Sequence, residues 1–386
     1  MSGAALLETG ASRADLPAGS TLKRLPRSPR RPRPQAFLDA FDAQGLVYDC
    51  FRHADGRRVL LVGPPPVNLM HHWRGATFAV LPGRSTVRGR FHISVSVMIT
   101  ELLDVPQDAR EIEMMFDGAS HILPIQPNTS AELSGRRVLF SMNKDNDLAW
   151  IREWALFHAR LHGTDTVILF DNGSRRYAVG DVEETLRSVL GLTHVAVPVW
   201  TQNFGRTDPV VRVDPYWAHF PQIAAMSVVL RRYGAAAAGL LNCDIDELAR
   251  RPEGGSIYDA ASRTKHGLAV FRGQWIEAVP EAGGPARDHS GFRMRLADPR
   301  RALARPNKWA LDPRRAWVAN LGVHPYWHWI AGRPLFGKVS PAGSLYWHFR
   351  GINTNWKADR TSRLPPPGGL EPDPDLGATF AALESL

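Results

Sequence analysis

From Arg137 onward the chain alternates short apolar runs with stretches of helical spacing, and this alternation restricts the fold more than any other feature. Val138–Met142 reads as a strand. Leu148–Leu161 then places Trp150, Trp154, Phe157 and Leu161 at helical intervals, behind Asp145–Asp147, whose short side chains suit a helix N-cap. Thr166–Phe170 is a second strand, stopped by the turn formers Asp171, Asn172, Gly173 and Ser174. Asp181 can cap a helix over Val182–Leu190, and Val195–Val199 is a third strand. Pro221–Tyr233 is a helix with proline near its start and Gly234 just past its end. Gly239–Cys243 is a fourth strand. Strands separated by helices imply an α/β fold with a mostly parallel, doubly wound sheet and flanking helices. Such sheets bind ligands beyond the carboxyl ends of their strands. Asn143–Lys144, Asp171–Ser174 and Asp244–Glu247 all fall at such ends.

The last of these clusters closes the run Leu240–Leu248, LLNCDIDEL. In an extended segment, residues i and i+2 point the same way. Asp244 and Asp246 are therefore expected to share one divalent cation. Two carboxylates suit Mn²⁺ or Mg²⁺ and leave positions for a substrate's phosphates. An isolated Asp-x-Asp is more often an ordinary turn; here the strand before it and the polar clusters beside it favour the metal.

Residues 36–130 read as a small all-β, sandwich-like domain. Phe91, Ile93, Val95, Val97 and Ile99 alternate with polar partners as one strand, and Val59–Val62, Thr77–Leu81, Glu111–Phe116 and Ile122–Ile125 are further strands. The sheet-forming region spans 131–362, and 363–386 reads as a Pro-rich C-terminal tail. The net charge is +9, concentrated at the N-terminus: residues 1–35 hold seven basic and two acidic side chains in a setting rich in proline and serine. That composition predicts a disordered basic tail, with peripheral contact to anionic lipid as the sharper possibility. It has no apolar core of a secretory signal. No stretch is apolar enough to span a membrane, the best, Ser188–Gly205, being broken by polar residues and a proline. Two distant cysteines, Cys50 and Cys243, fit a cytoplasmic protein, membrane-associated at most.

Met142–Ser174, MNKDNDLAWIREWALFHARLHGTDTVILFDNGS, resembles the opening of bacterial glycosyltransferases with the GT-A fold, family 92 and related family 2-like enzymes. Glu153, Trp154, His158, Asp171, Asn172 and Ser174 carry the likeness there. Asp244, Asp246 and Glu247 match the Asp-x-Asp-Glu motif, and Gln222 matches a recurrent Gln. Lys308–Trp309 with Asp312–Pro313, then His324, and later His348–Phe349 resemble the downstream blocks. The likeness covers roughly residues 137–360. It departs at Asn143-Lys144-Asp145-Asn146, where the family has Lys-Asn-Glu, at Leu248 in place of an aromatic, and at Phe349 in place of Tyr.

The resemblance implies a metal-dependent transfer of a sugar from a nucleotide-sugar, UDP-linked, to a glycan or other hydroxyl acceptor, in the building of a cell-surface polysaccharide. Asp244 and Asp246 would hold the metal with His348 or His324. Asn143, Lys144, Asp171, Asn172, Ser174 and Gln222 would meet the donor, with Arg350 and Lys357 near its phosphates. Glu277 and Asp288 are the candidates for the base that takes the acceptor's proton. Trp275 is the tryptophan best placed for a sugar face. His158, on the helix face beside Trp154, reads as a core histidine.

Two other classes compete. Haloacid-dehalogenase phosphatases also place Asp-x-Asp after an apolar strand, but want Thr or Val where this chain has Leu248, and Gly180–Asp181 precedes the motif rather than following it. A non-catalytic carbohydrate-binding protein is the other. Nothing resembles a specific nucleic-acid motif.

Overall fold

A computed structural model of the chain describes residues 3–206, 217–253, 255–280, 288–335, 339–354 and 369–384. The chain begins with Ala5–Leu6 (β1) and Ala14–Asp15 (β2) and passes helix α1 (Gln35–Ala40) to Gly45–Val47 (β3), the antiparallel partner of β2. Two four-stranded antiparallel sheets follow. One contains Asp49–Arg52 (β4) and Val59–Gly63 (β5). Helix α2 (Met70–Gly75) then leads to Thr77–Leu81 (β6) and Ser85–Val87 (β7) of the other. Gly89–Ile93 (β8) and Met98–Leu102 (β9) return to the first sheet, and Glu111–Phe116 (β10) and Ala119–Pro124 (β11) complete the second. The alternation predicts one strand over Phe91–Ile99. The structure makes a hairpin there, with Ile93 opposite Met98 and Ser94 donating its N–H to the Val97 carbonyl.

The α/β part starts at Arg137–Asn143 (β12), and runs through α3 (Leu148–His162), β13 (Thr166–Asp171), α4 (Val179–Arg187) and β14 (His194–Ala196). Helix α3 ends because Gly163 adopts φ 66°, and the N–H groups of Gly163 and Thr164 return to the Ala159 and His158 carbonyls. Helix α4 begins three residues before the expected Val182. Asp181 therefore caps from inside the first turn, accepting the Ala178 N–H at 2.8 Å. Helix α5 (Phe220–Val228) starts with Pro221 and runs into a π-helical turn, Val229–Tyr233. Then come β15 (Gly239–Asn242), β16 (Glu247–Ala249), α6 (Ile257–Arg263), β17 (Leu268–Ile276), β18 (Met294–Leu296), α7 (Pro299–Ala302) and β19 (Leu303–Leu311). The chain closes with β20 (His324–Pro325), β21 (Ile330–Ala331), β22 (Leu345–Phe349), β23 (Leu370–Pro372) and α8 (Pro374–Glu384).

The central sheet has nine strands in the order β1-β14-β13-β12-β15-β19-β17-β22-β16. The pairs from β1 to β15 are all parallel, β19 runs antiparallel to both neighbours, and β17 and β22 are again parallel. The fold is thus α/β with a large, mostly parallel sheet. After β12 the chain winds outward through β13 and β14, then returns to place β15 on the other flank of β12. The reversal falls at the carboxyl ends of β12 and β15, the place where open sheets of this kind bind ligands.

Two expectations are corrected. Residues 1–35 are not a loose basic tail. Strand β1 extends the central sheet by pairing with β14, Leu7 and Leu16 are buried, and Arg24 is 1 % exposed. The Arg24 guanidinium donates to the carbonyls of Pro65, Asp42 and Gly45 at 2.8, 3.1 and 2.6 Å, which is why a charge can sit there. The C-terminal segment is likewise no simple tail: β23 pairs with β18, and Leu376, Phe380 and Leu383 of α8 are buried. One hydrophobic core joins Tyr48, Phe51, Leu60 and Val62 of the β-rich part to Phe140, Phe170, Trp200 and Trp309 of the α/β part.

Candidate functional site

The carboxyl ends of β12 and β13 carry a closed polar network. Asn143, fully buried, donates from Nδ2 to Asp171 Oδ1 at 2.9 Å and to Tyr177 Oη at 3.0 Å. Ser174 gives Asp171 its hydroxyl at 2.5 Å and its main-chain N–H at 2.9 Å. Lys144 donates to the Asn172 carbonyl, and Asn172 Nδ2 reaches the carbonyls of Trp200 and Gln202. The five expected donor-site residues of this rim do meet. Their polar atoms build and brace the turns after β12 and β13.

The Asp-x-Asp segment is not extended. The Glu247 N–H donates to the Asp244 carbonyl at 2.9 Å, closing a β-turn over Asp244–Glu247, and Glu247 Oε2 accepts the Asp244 N–H at 2.7 Å. A turn sends its side chains in different directions, and the two aspartates meet different hydrogen-bonding groups: Ser141 and Lys308 for Asp244, His348 for Asp246. Asp244 accepts from Ser141 Oγ at 3.1 Å and lies 2.8 Å from Lys308 Nζ. Gln222 approaches it at 3.5 Å while accepting the Trp327 indole N–H at 2.7 Å. Lys308 is fully buried and also lies 2.9 Å from Glu247. Burial alone would drive its ammonium toward neutrality, but Asp244 and Glu247 outweigh that and hold its pKa well above the ordinary value. Burial pushes the Glu247 carboxyl up, against the pull of Lys308.

Asp246 turns the other way. Its carboxylate is 3.0 Å from His348 Nε2, and Glu247 lies 3.9 Å from His348 Nδ1. The register of two strand pairs sets this up: β22 places His348 opposite Glu247 of β16 and opposite Trp275 of β17. Ligand atoms of Asp246, Glu247 and His348 all lie within 4.8 Å of one another. Two carboxylates and an imidazole suit a divalent ion of the Mn²⁺ type. Lys308 serves Asp244 and Glu247, while Asp246 lies against His348. Among the described residues the group able to hold a metal thus joins Glu247 to the expected Asp246 and His348, while the expected Asp244 lies against Lys308.

His324 does not join this group. It is buried on β20, and its pKa falls to about 4 through burial and the nearby Arg231 and His92. The histidine of that segment facing the site is His328. Its Nδ1 meets the carbonyl of Asn307, the residue before Lys308, at 2.9 Å, and burial with Lys308 close by lowers its pKa to about 3. Trp275 offers no free face, because its ring stacks on His348 at 4.0 Å and carries the Arg350 guanidinium at 4.1 Å. Arg350 in turn pairs with the buried Glu277 at 3.1 Å. Asp288 accepts the Ser290 hydroxyl at 2.7 Å. Lys357 lies outside the described residues.

Glu247 and Lys308 stand in the motif and the downstream block with no role evident from the sequence. A lysine inside an apolar strand was the available signal, since a buried ammonium requires carboxylates beside it. His158 is a core residue as read: its Nδ1 bonds the Trp154 carbonyl and its Nε2 accepts the Ala249 N–H. His162 holds the Ala249 carbonyl at 2.7 Å. Together they cap β16, the edge strand beside the site.

No family model matches the chain, and no curated protein matches it. Among solved structures, the chain is similar to one described as the crystal structure of GalNAc-T7 with UDP, GalNAc and Mn²⁺. The TM-score is 0.34 and the identity 11%, over 58% of this chain and 45% of that one, so the chain spans less than half of that protein's length. No helix among the described residues is long and apolar enough to cross a membrane.

Proposed function

We propose that the chain is a GT-A-like glycosyltransferase, resembling family 92, that moves a sugar from a UDP-linked donor to a hydroxyl of a glycan acceptor. The observation that carries the reading is the group Asp246, Glu247 and His348, set at the end of a mostly parallel sheet beside its point of reversal. Asp246 and His348 would hold Mn²⁺ or Mg²⁺, with Glu247 behind them. The ion's contribution is Lewis-acid stabilisation of the departing diphosphate. The chain's own residues do the rest. Lys308 holds Asp244 in place to meet the donor. Arg350, held over Trp275, adds positive charge near the His348 side of the site. Of the two candidate bases, Glu277 is occupied by Arg350, so the reading retains Asp288. Two buried thiols, Cys50 and Cys243, suit a reducing cytoplasmic setting, and cell-surface polysaccharide is the expected product class.

The test is a UDP titration by calorimetry with and without Mn²⁺. Tight binding is expected only with the ion present and should vanish on adding EDTA. UDP binding indifferent to EDTA, or no UDP binding with Mn²⁺, would sink the reading. Release of UDP from a panel of nucleotide-sugars would then name the donor.

A further inference from the structure

The turn that carries Asp246 has a weak point. In a four-residue turn the central peptide, here between Ile245 and Asp246, can flip and convert one turn type into another. A flip needs a positive φ at the third residue. Asp246 has none in this structure. Aspartate tolerates that conformation better than most residues, so the sequence itself does little to prevent the flip. A flip would swing the Asp246 carboxylate away from His348.

The carbonyl of that peptide is held. His289, fully buried, sits in a short 3-10 turn and donates from Nε2 to the Ile245 oxygen at 2.8 Å. Its Nδ1 meets Glu153 Oε2 of α3 at 2.9 Å, and the same carboxylate accepts the His289 N–H at 2.6 Å and the Ser290 N–H at 3.2 Å. Both ring nitrogens are engaged, one by the Ile245 oxygen and the other by Glu153. Burial raises the Glu153 carboxyl, but His289 and the main-chain donors outweigh it and bring it below its ordinary range, so the acceptor is charged. A largely buried polar link of this kind is a poor source of stability compared with apolar packing. Its distinctive effect is orientation. The neighbouring carbonyls are held too: Asp244 accepts from Glu247, and Asp246 from the Phe349 N–H at 2.8 Å.

We infer that Glu153 and His289 are positioning residues that lock the Ile245–Asp246 peptide, so that Asp246 is presented to the cation together with His348. The inference rests on the metal reading above and names the part of the fold that makes the site competent.

The experiment is Mn²⁺ titration of the full chain, read by electron paramagnetic resonance of the free ion, with thermal unfolding run alongside. His289→Phe keeps the ring volume and leaves Glu153 its two main-chain donors. It should unfold cooperatively yet bind Mn²⁺ about 10-fold more weakly or worse, the range seen when the partners of metal ligands are removed. Glu153→Gln should show a smaller loss in the same direction, and it serves if His289→Phe fails to fold. His162→Gln, which removes another buried histidine that bonds a carbonyl near the motif, should lower stability and leave Mn²⁺ affinity within about twofold, below the range for ligand partners. Wild-type affinity in both His289→Phe and Glu153→Gln would overturn the inference, as would an equal loss in His162→Gln. If the wild-type chain itself binds no Mn²⁺, the metal reading falls and takes this inference with it.

Discussion

Each aspartate of the motif has a different partner, and that difference predicts different mutants. Asp246 faces His348 and is only 18% exposed, so Asp246→Asn should fold normally and lose more than about 100-fold in transfer rate, beyond the loss from changing a ligand's partner. A UDP-release assay with a melting curve checks both halves. His348→Ala should lose Mn²⁺-dependent UDP binding. His324→Ala should keep it and lose stability, because His324 is a buried residue next to Arg231 and His92 rather than to the carboxylates. If the two phenotypes come out reversed, the metal set is wrong. Lys308→Met tests the other aspartate. Removing one partner of a buried charge cluster costs about 3–5 kcal/mol. Glu247 is already pushed upward by burial, and without Lys308 it rises further. A carboxyl whose folded pKa is raised favours folding while protonated and loses that contribution as pH rises through the folded value. The deficit of Lys308→Met in urea denaturation should therefore shrink on acidification. An unchanged deficit at low pH would mean that Glu247 is not the group left exposed to penalty.

At the scale of elements, helix α3 and edge strand β16 are joined by histidines that work only when neutral. His158 gives hydrogen from Nδ1 and accepts at Nε2, while His162 gives from Nε2 and accepts the Ile257 N–H at Nδ1. Burial lowers the pKa of His158 to about 3 and of His162 to about 4. Unfolded histidines titrate near about 6.5. Stability from these two groups is complete above that value and is lost as pH falls toward the folded values. The loss approaches about 1.4 kcal/mol per pH unit for each group. Denaturant midpoints measured between neutral pH and pH 4 should fall accordingly, and His162→Gln should flatten the slope. A pH-independent midpoint over that range would show that the unfolded chain gains no protons there.

For the whole molecule, the decisive feature is how many distant segments converge on one sheet. Deleting residues 1–35 removes β1 from the central sheet, the apolar contacts of Leu7 and Leu16, and the three carbonyl bonds of Arg24. Each carbonyl stripped of its donor costs about 1–3 kcal/mol when it stays buried. The truncated chain should melt well below the full-length protein or accumulate as aggregate. A melting temperature matching full length would mean that the N-terminal segment does not pack as described. The buried Arg232–Asp49 pair, at 2.9 Å, makes the same point, since it ties the end of the helix before β15 to β4.

What the sequence settled by itself was periodic. The apolar runs and helical spacings of 137–243 fall on β12, α3, β13, α4, β14, α5 and β15 with small shifts at the ends, because period and punctuation are local properties. The same pattern put Asp171 and Asp244 at strand ends. Composition misled at 1–35, since a basic, proline-rich segment looks unable to bury surface. Arg24 is buried only because three carbonyls from residues 42–65 surround it, and no local pattern encodes that. The same holds for the site. Whether Asp-x-Asp is extended or turned depends on Glu247 reaching back to the Asp244 N–H and on His289 arriving from 44 residues away. His348 rather than His324 meets Asp246 because the register of β22 against β16 and β17 puts it there. Tertiary structure decided these, since strand register and buried-charge pairing arise between segments far apart in the chain.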